Sequence, residues 1–280
     1  MARASVYAAT YTSSTWKGYH MKFTMIAAGL IASFSMAGAA QAADLWALSG
    51  SNKLAKIDTV AKKVTGTWDI KNVKTSLRGI DVRPSNGKLY AVGDDNVLYT
   101  IDPSTATATA GAKLNQALPG KGSAVVDFNP VADRLRLIAA DGTNFRVNVD
   151  TGEVVLDKPL NYAADGAYAG KTPKVVAGAY TNSFAGTKAT QLFDLDAATG
   201  QLLLQAPPND GTLVAKGEIV KKLSKPAFDI VSDGKGGNQA YLLLDGALHT
   251  VDLETGKPTL VGKISGLPKG VIDLAAPGAM

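Results

Sequence analysis

Five aspartates punctuate the chain at near-regular intervals: Asp58, Asp102, Asp150, Asp196 and Asp252, spaced 44, 48, 46 and 56 residues apart. Each closes a short segment rich in Val, Ile, Leu, Tyr and Phe, bounded by Gly, Pro, Asn and Asp. That composition and those boundaries are the signature of β-strands. A repeat of about 40–50 residues built from several short strands corresponds to one propeller blade. A lone blade cannot bury its apolar faces, so such repeats fold only by packing on one another.

Each full unit has four segments. In the first they begin at Arg78, Lys88, Val97 and the Thr/Ala-rich run that ends at Leu114. The next units run from Val125 to Leu156, Val175 to Leu204 and Ala227 to Gly262. The N-terminal part opens midway through a unit, with segments beginning at Leu45, Lys53 and Lys63. Its missing first segment stands at the other end, as Gly270–Ala275. A C-terminal strand pairing with N-terminal strands would close a ring and remove a free sheet edge. The expected fold is therefore all-β: a five-bladed β-propeller of four-stranded blades, closed by the C-terminal strand. The 56-residue interval leaves open a six-bladed ring with a blade hidden in the fourth unit. A β-sandwich is the remaining alternative.

The turns after the third segments carry Asp150-Thr-Gly, Asp196-Ala-Ala-Thr-Gly and Asp252-Leu-Glu-Thr-Gly, with Asp102-Pro-Ser-Thr as a degenerate copy. Asp accepts hydrogen bonds from turn amides and Gly supplies positive φ, so these repeats read as turn chemistry. Asp94-Asp95-Asn96 and the Asp233–Asn238 loop resemble calcium loops without the full ligand spacing.

The first 42 residues stand apart. Lys22 precedes an apolar run over Phe23–Ala40, and Ala40-Gln41-Ala42 is a small-x-small cleavage signature. This pattern predicts a signal peptide over 21–42, preceded by an upstream extension over 1–20, and an exported mature domain over 43–280. The formal charge of +5 includes Arg3, Lys17 and Lys22 of the leader; the mature chain keeps 26 basic against 24 acidic residues. No basic stripe remains for a nucleic acid partner, and no membrane span is expected after cleavage.

Elimination narrows the chemistry. The chain has no Cys and only two His, His20 and His249. Thiolate nucleophiles, Cys-ligated metals and multi-histidine metal sites are excluded within one chain. A Ser–His–Asp triad would rest on His249, which sits in a repeat strand. The mature chain has three Glu, at 153, 218 and 254, all near turns or outer segments. Function must rest on Asp, Asn and Arg.

Two constellations follow. Asp81, Asp127, Asp229 and Asp273 occupy matching positions in the first, innermost segments. They form either a carboxylate ring able to hold calcium or a set of bonds to neighbouring backbone amides. No other cofactor is expected. The second constellation lies in the second unit, where Arg134 and Arg136 share one face and Asn144, Arg146 and Asn148 share a face of the next segment. If the two strands pair, guanidinium and amide donors converge on one surface suited to carboxylate, phosphate or sugar oxygens. The competing role is satisfaction of Asp127, Asp133 and loop carbonyls.

Asp127-Phe-Asn-Pro, Asp133-Arg-Leu-Arg, Asn144-Phe-Arg-Val-Asn, Tyr180-Thr-Asn and Leu192-Phe-Asp-Leu-Asp together resemble the bacterial secreted family catalogued as domain of unknown function 4394. The resemblance implies an exported, propeller-like domain and carries no activity. It marks Asp127, Asn129, Arg134, Arg136, Asn144, Arg146 and Asn182 as the place of a shared site. The expected function is a binding or scaffold module for a small polar or anionic ligand or an extracytoplasmic protein. The alternative is a metal-assisted hydrolase of sugar, lactone or ester type, an analogy from fold alone.

Overall fold

A computed structural model describes residues 43–50 and 52–277. The leader readings, over 1–20 and 21–42, lie outside these residues. β1 (Asp44–Ser49), β2 (Lys53–Asp58) and β3 (Lys63–Asp69) form a sheet that is completed elsewhere in the chain. Blade one is β4 (Leu77–Val82), β5 (Leu89–Gly93), β6 (Val97–Asp102) and β7 (Thr107–Lys113). Blade two is β8 (Val125–Asn129), β9 (Arg134–Ile138), β10 (Asn144–Val147) and β11 (Val154–Leu156). Blade three adds a short strand, β12 (Asn161–Tyr162), to β13 (Val175–Tyr180), β14 (Leu192–Asp196), β15 (Gln201–Gln205) and β16 (Thr212–Glu218). Blade four is β17 (Ala227–Ser232), β18 (Asn238–Leu244), β19 (Ala247–Val251) and β20 (Pro258–Lys263). Finally β21 (Val271–Ala275) pairs antiparallel with β1, setting Leu274 opposite Ala47 and completing the closure blade.

The five sheets are antiparallel meanders apart from β12, which runs parallel to β16 at the outer edge of blade three. The inner strands touch in a closed cycle, β4, β8, β13, β17, β21 and back to β4. The protein is thus a five-bladed β-propeller, and neither the six-bladed ring nor the sandwich forms. The long interval before Asp252 holds no extra blade. It is absorbed by the Pro208–Asp210 turn and by the seven-residue strands β16 and β18.

The turn reading holds with one correction. Asp58, Asp102, Asp196 and Asp252 each accept backbone amides two or three residues ahead. A positive-φ residue follows four positions later in each case: Lys62, Ala106, Gly200 and Gly256. In blade two that register belongs to Asn148 and Gly152, not to Asp150. Asp150 is shifted by two residues and released from turn duty. It pairs instead with Arg83 of blade one, whose guanidinium also holds Asp133 at 2.6 Å.

The core lies in the seams between blades. Blades one and two meet through Tyr90, Leu98, Phe128 and Phe145, and blades three and four through Phe193, Leu202, Phe228 and Leu242. The seam between blades two and three differs. Its apolar cluster has only seven buried residues, against 11 to 14 in the other four. Polar side chains occupy the rest of that seam, and most of the predicted site residues stand there.

Candidate functional site

Alternation along the inner strands puts one aspartate of four blades on the face turned toward the next blade. Asp81, Asp127, Asp229 and Asp273 are all nearly fully buried. Each spends an oxygen on the next blade. Asp81 accepts the Phe128 amide at 2.7 Å, Asp127 the Tyr180 amide at 2.9 Å, Asp229 the Ala276 amide at 2.5 Å and Asp273 the Ile80 amide at 2.8 Å. The ring is stapled in one rotational sense, and buried carboxylates regain in these bonds part of what desolvation costs.

The fifth junction is different because β13 carries Gly178 and Ala179 there. Blades three and four are joined by an amide pair instead. The Asn182 backbone N–H donates to Asn238 Oδ1 at 2.7 Å, and Asn238 Nδ2 donates to Asn182 Oδ1 at 2.8 Å. Asn182, with φ of 55°, thus belongs to this junction, and its side-chain N–H donates to the Ala189 carbonyl.

Oxygens of Asp81, Asp127 and Asp229 lie within 4.8 Å of one another. Burial first, and then the like charges, push Asp81 and Asp127 well above the usual carboxylate range. Burial raises Asp273 well above it too, and Asp229 to about 6. Ionised together at this spacing the three groups would repel one another, and the backbone N–H groups they accept offset part of that cost.

The second constellation lies on the face of blade two turned toward blade three. β9 and β10 do pair, with Arg136 opposite Arg146. Arg136 is buried and spends four of its five N–H groups on side chains. Nε donates to Tyr180 Oη at 3.1 Å, Nη1 to Asn144 Oδ1 at 2.8 Å and to Asp157 Oδ2 at 2.7 Å, and Nη2 to Asn209 Oδ1 at 2.9 Å. Asn144, equally buried, donates to the carbonyls of Lys158 and Pro208. Both residues therefore fasten the two blades together.

Arg146 and Arg134 face outward. Arg146 grips Asp157 in a fork, at 2.7 and 2.8 Å, and its side chain stays 32% exposed. Arg134 donates to the carbonyls of Ala132 and Asp133, and among the described residues no carboxylate lies within 4.0 Å of its guanidinium. With Asn148, Glu153 and Val155 the two arginines line a cleft of about 200 Å³. Asn129 lies beside it and caps the turn that holds Val131 and Ala132.

Sequence reasoning missed Asp157 and Asn209. The β10–β11 register, Phe145 opposite Leu156, sets Asp157 opposite Asn144. A buried arginine at that level demands a carboxylate, so continuing the alternation one residue past Val154–Leu156 would have found it. Among the described residues no helix is long and apolar enough to cross a membrane.

A structural genomics protein of unknown function from Bacteroides thetaiotaomicron has a TM-score of 0.52 at 17% identity. The match covers 87% of this chain and 66% of that one, so this chain spans just under two thirds of its length. A protein of unknown function from Bacteroides caccae gives a TM-score of 0.43 at 13% identity, covering 84% of this chain and 99% of the other. No curated protein sequence matches the chain. The sequence model for the domain of unknown function DUF4394 matches residues 44–275. Matched over nearly all its described length, the chain belongs to the DUF4394 family.

Proposed function

We propose that this protein is an exported propeller module that binds a small anion, such as a carboxylate or sulfate group, in the blade-two cleft. The observation that carries this reading is Arg134, a half-buried guanidinium with no carboxylate partner among the described residues, lining one cleft with Arg146. Arg146 is oriented by its fork to Asp157, which leaves Nη1 free of the protein bonds that engage Nε and Nη2. Two guanidiniums on a rigid sheet are preorganised for a planar or tetrahedral oxyanion. The volume suits a small ligand or the charged end of a larger one. Export rests on the leader pattern over residues 21–42.

The test is calorimetric titration with sulfate and acetate. Binding by the native protein and its loss in both Arg134→Ala and Arg146→Ala, with unliganded melting temperatures nearly unchanged, are expected. A variant that binds as tightly as the native protein would place the anion elsewhere.

A second reading rests on the ring. Oxygens of Asp81, Asp127 and Asp229 within 4.8 Å of one another match the hard-donor chemistry of calcium, and a metal-assisted hydrolase could be built around such an ion. It must compete with the amide bonds that already engage each of these carboxylates. Calcium-dependent melting that Asp127→Asn abolishes would favour this reading over the first.

A further inference from the structure

The polar seam between blades two and three contains one group that the anion cleft does not use. Asp194, in the middle of β14, is completely buried. Among the described residues no group donates a hydrogen bond to either carboxylate oxygen. Its strand neighbour Gly178 explains how it fits. A Cβ on Gly178 would stand 2.3 Å from Asp194 Oδ1, so the carboxyl lies directly over the bare glycine. Gln205 Oε1 is buried and unpartnered as well. The β14–β15 register sets Asp194 opposite Leu203 and Leu192 opposite Gln205. Asp194 and Gln205 are therefore diagonal neighbours on one face of the sheet, within reach of each other's side chains.

Three buried oxygens on one face call for a donor. The nearest cation, Arg136 of blade two, is engaged by Tyr180, Asn144, Asp157 and Asn209. We propose that Asp194 is held as a neutral carboxylic acid inside the seam between blades two and three. Its O–H supplies the donor this face lacks, and its ionisation loosens the seam. The proton serves here better than a metal ion, because the charge on Arg136 already fills the seam and would repel a second cation.

The surrounding groups agree. Burial is the main influence and raises the Asp194 carboxyl to about 8. Arg136 opposes that rise, and Asp196, two residues along β14, adds to it. Tyr162, from the segment that crosses the outside of blade three, donates its hydroxyl to Asp196. Tyr180 on β13 receives Arg136 and is itself raised by burial. Asp127 on β8 is turned to the Tyr180 amide, and β15 contributes only the uncharged Gln201, Leu203 and Gln205.

The test is urea unfolding of the full chain and of Asp194→Asn between pH 5 and pH 9. A neutral acid in the fold binds a proton that the unfolded chain releases, so wild type loses stability as pH rises from the ordinary carboxylate range toward 8. The ratio of unfolding constants, wild type over variant, should rise about tenfold per pH unit up to pH 8 and level off beyond it. Comparing the two proteins cancels the contribution of the ring aspartates. A ratio that does not change with pH overturns the proposal, because Asp194 would then be ionised throughout. If Asp194→Asn does not fold, Asp194→Ser removes the same proton with a smaller side chain and must show the same slope; a flat ratio there overturns the proposal equally.

Discussion

Asp273 Oδ2 accepts the Ile80 amide at 2.8 Å across 193 residues of sequence, and so fastens the last strand to the first full blade. The bond lies beside Gly79, where any Cβ would stand 2.7 Å from the same oxygen. A ring closed by one short strand has a weak point where that strand meets its neighbour. Asp273→Ala strips buried amides of their acceptor and should cost about 1–3 kcal/mol in urea unfolding. Asp273→Asn keeps one acceptor oxygen in place, so its loss should be smaller. An alanine variant as stable as wild type would mean that β21 is held by its pairing with β1 and by Asp229 on the Ala276 amide, without need of the Asp273–Ile80 bond.

Arg83 joins blades one and two by holding Asp133 and Asp150 together. Its bonds to the two carboxylates hold the guanidinium above its ordinary range, and both carboxylates are drawn below theirs by Arg83. A depressed carboxylate contributes stability above its unfolded pKa and loses it as pH falls through the folded value. Arg83→Met should therefore cost most at neutral pH and progressively less below about pH 4. Partial exposure of both acids places the neutral-pH loss near the lower end of about 1–3 kcal/mol. Chemical unfolding of both proteins at pH 7 and pH 3 measures the difference; an equal loss at both would show that packing against Tyr90, not charge, is what Arg83 supplies.

The repeats made the fold legible because strand alternation and blade length are properties of consecutive residues. The ring aspartates were legible for the same reason, since they recur at one position of four units. What the sequence hid lies between repeats or in their exceptions. Asp157 lies one residue past the last strand of its own blade, opposite Asn144, and Asn209 sits in a turn of blade three, so Asn209 reaches Arg136 only where the two blades pack. Asp150 looked like a turn residue because it precedes Thr151 and Gly152, but Asn148 holds that place. Asp194 stood in view in Phe193-Asp194-Leu195, yet alternation alone does not show that the seam it enters is closed to water.

Arg136 and Arg146 share Asp157 and should nevertheless behave oppositely. Removing the buried Arg136 leaves Asp157, Asn144 and Tyr180 without their central donor, and Arg136→Met should cost about 3–5 kcal/mol. Arg146→Ala leaves Asp157 paired with Arg136 and should cost no more than about 1 kcal/mol. Denaturant midpoints of the two variants decide the matter. A large loss for Arg146→Ala would move that residue from the ligand cleft into the structural seam.

The recurring turns permit a test of backbone conformation alone. Gly200 has φ of 70°, and a Cβ there would stand 1.9 Å from the Val220 carbonyl oxygen. Backbone cannot yield as a flexible side chain can, so Gly200→Ala should cost more than the usual αL penalty of about 1–2 kcal/mol. Lys62 occupies the equivalent place in the closure blade, exposed and with φ of 55°. There glycine relieves strain, offset by the entropy it loses on folding, and Lys62→Gly should gain up to about 1 kcal/mol. Thermal unfolding of both variants reads the pair of signs. If Lys62→Gly destabilises, the lysine stem contributes more by lying against Gly262, where a Cβ would meet it at 2.8 Å, than the turn loses in strain.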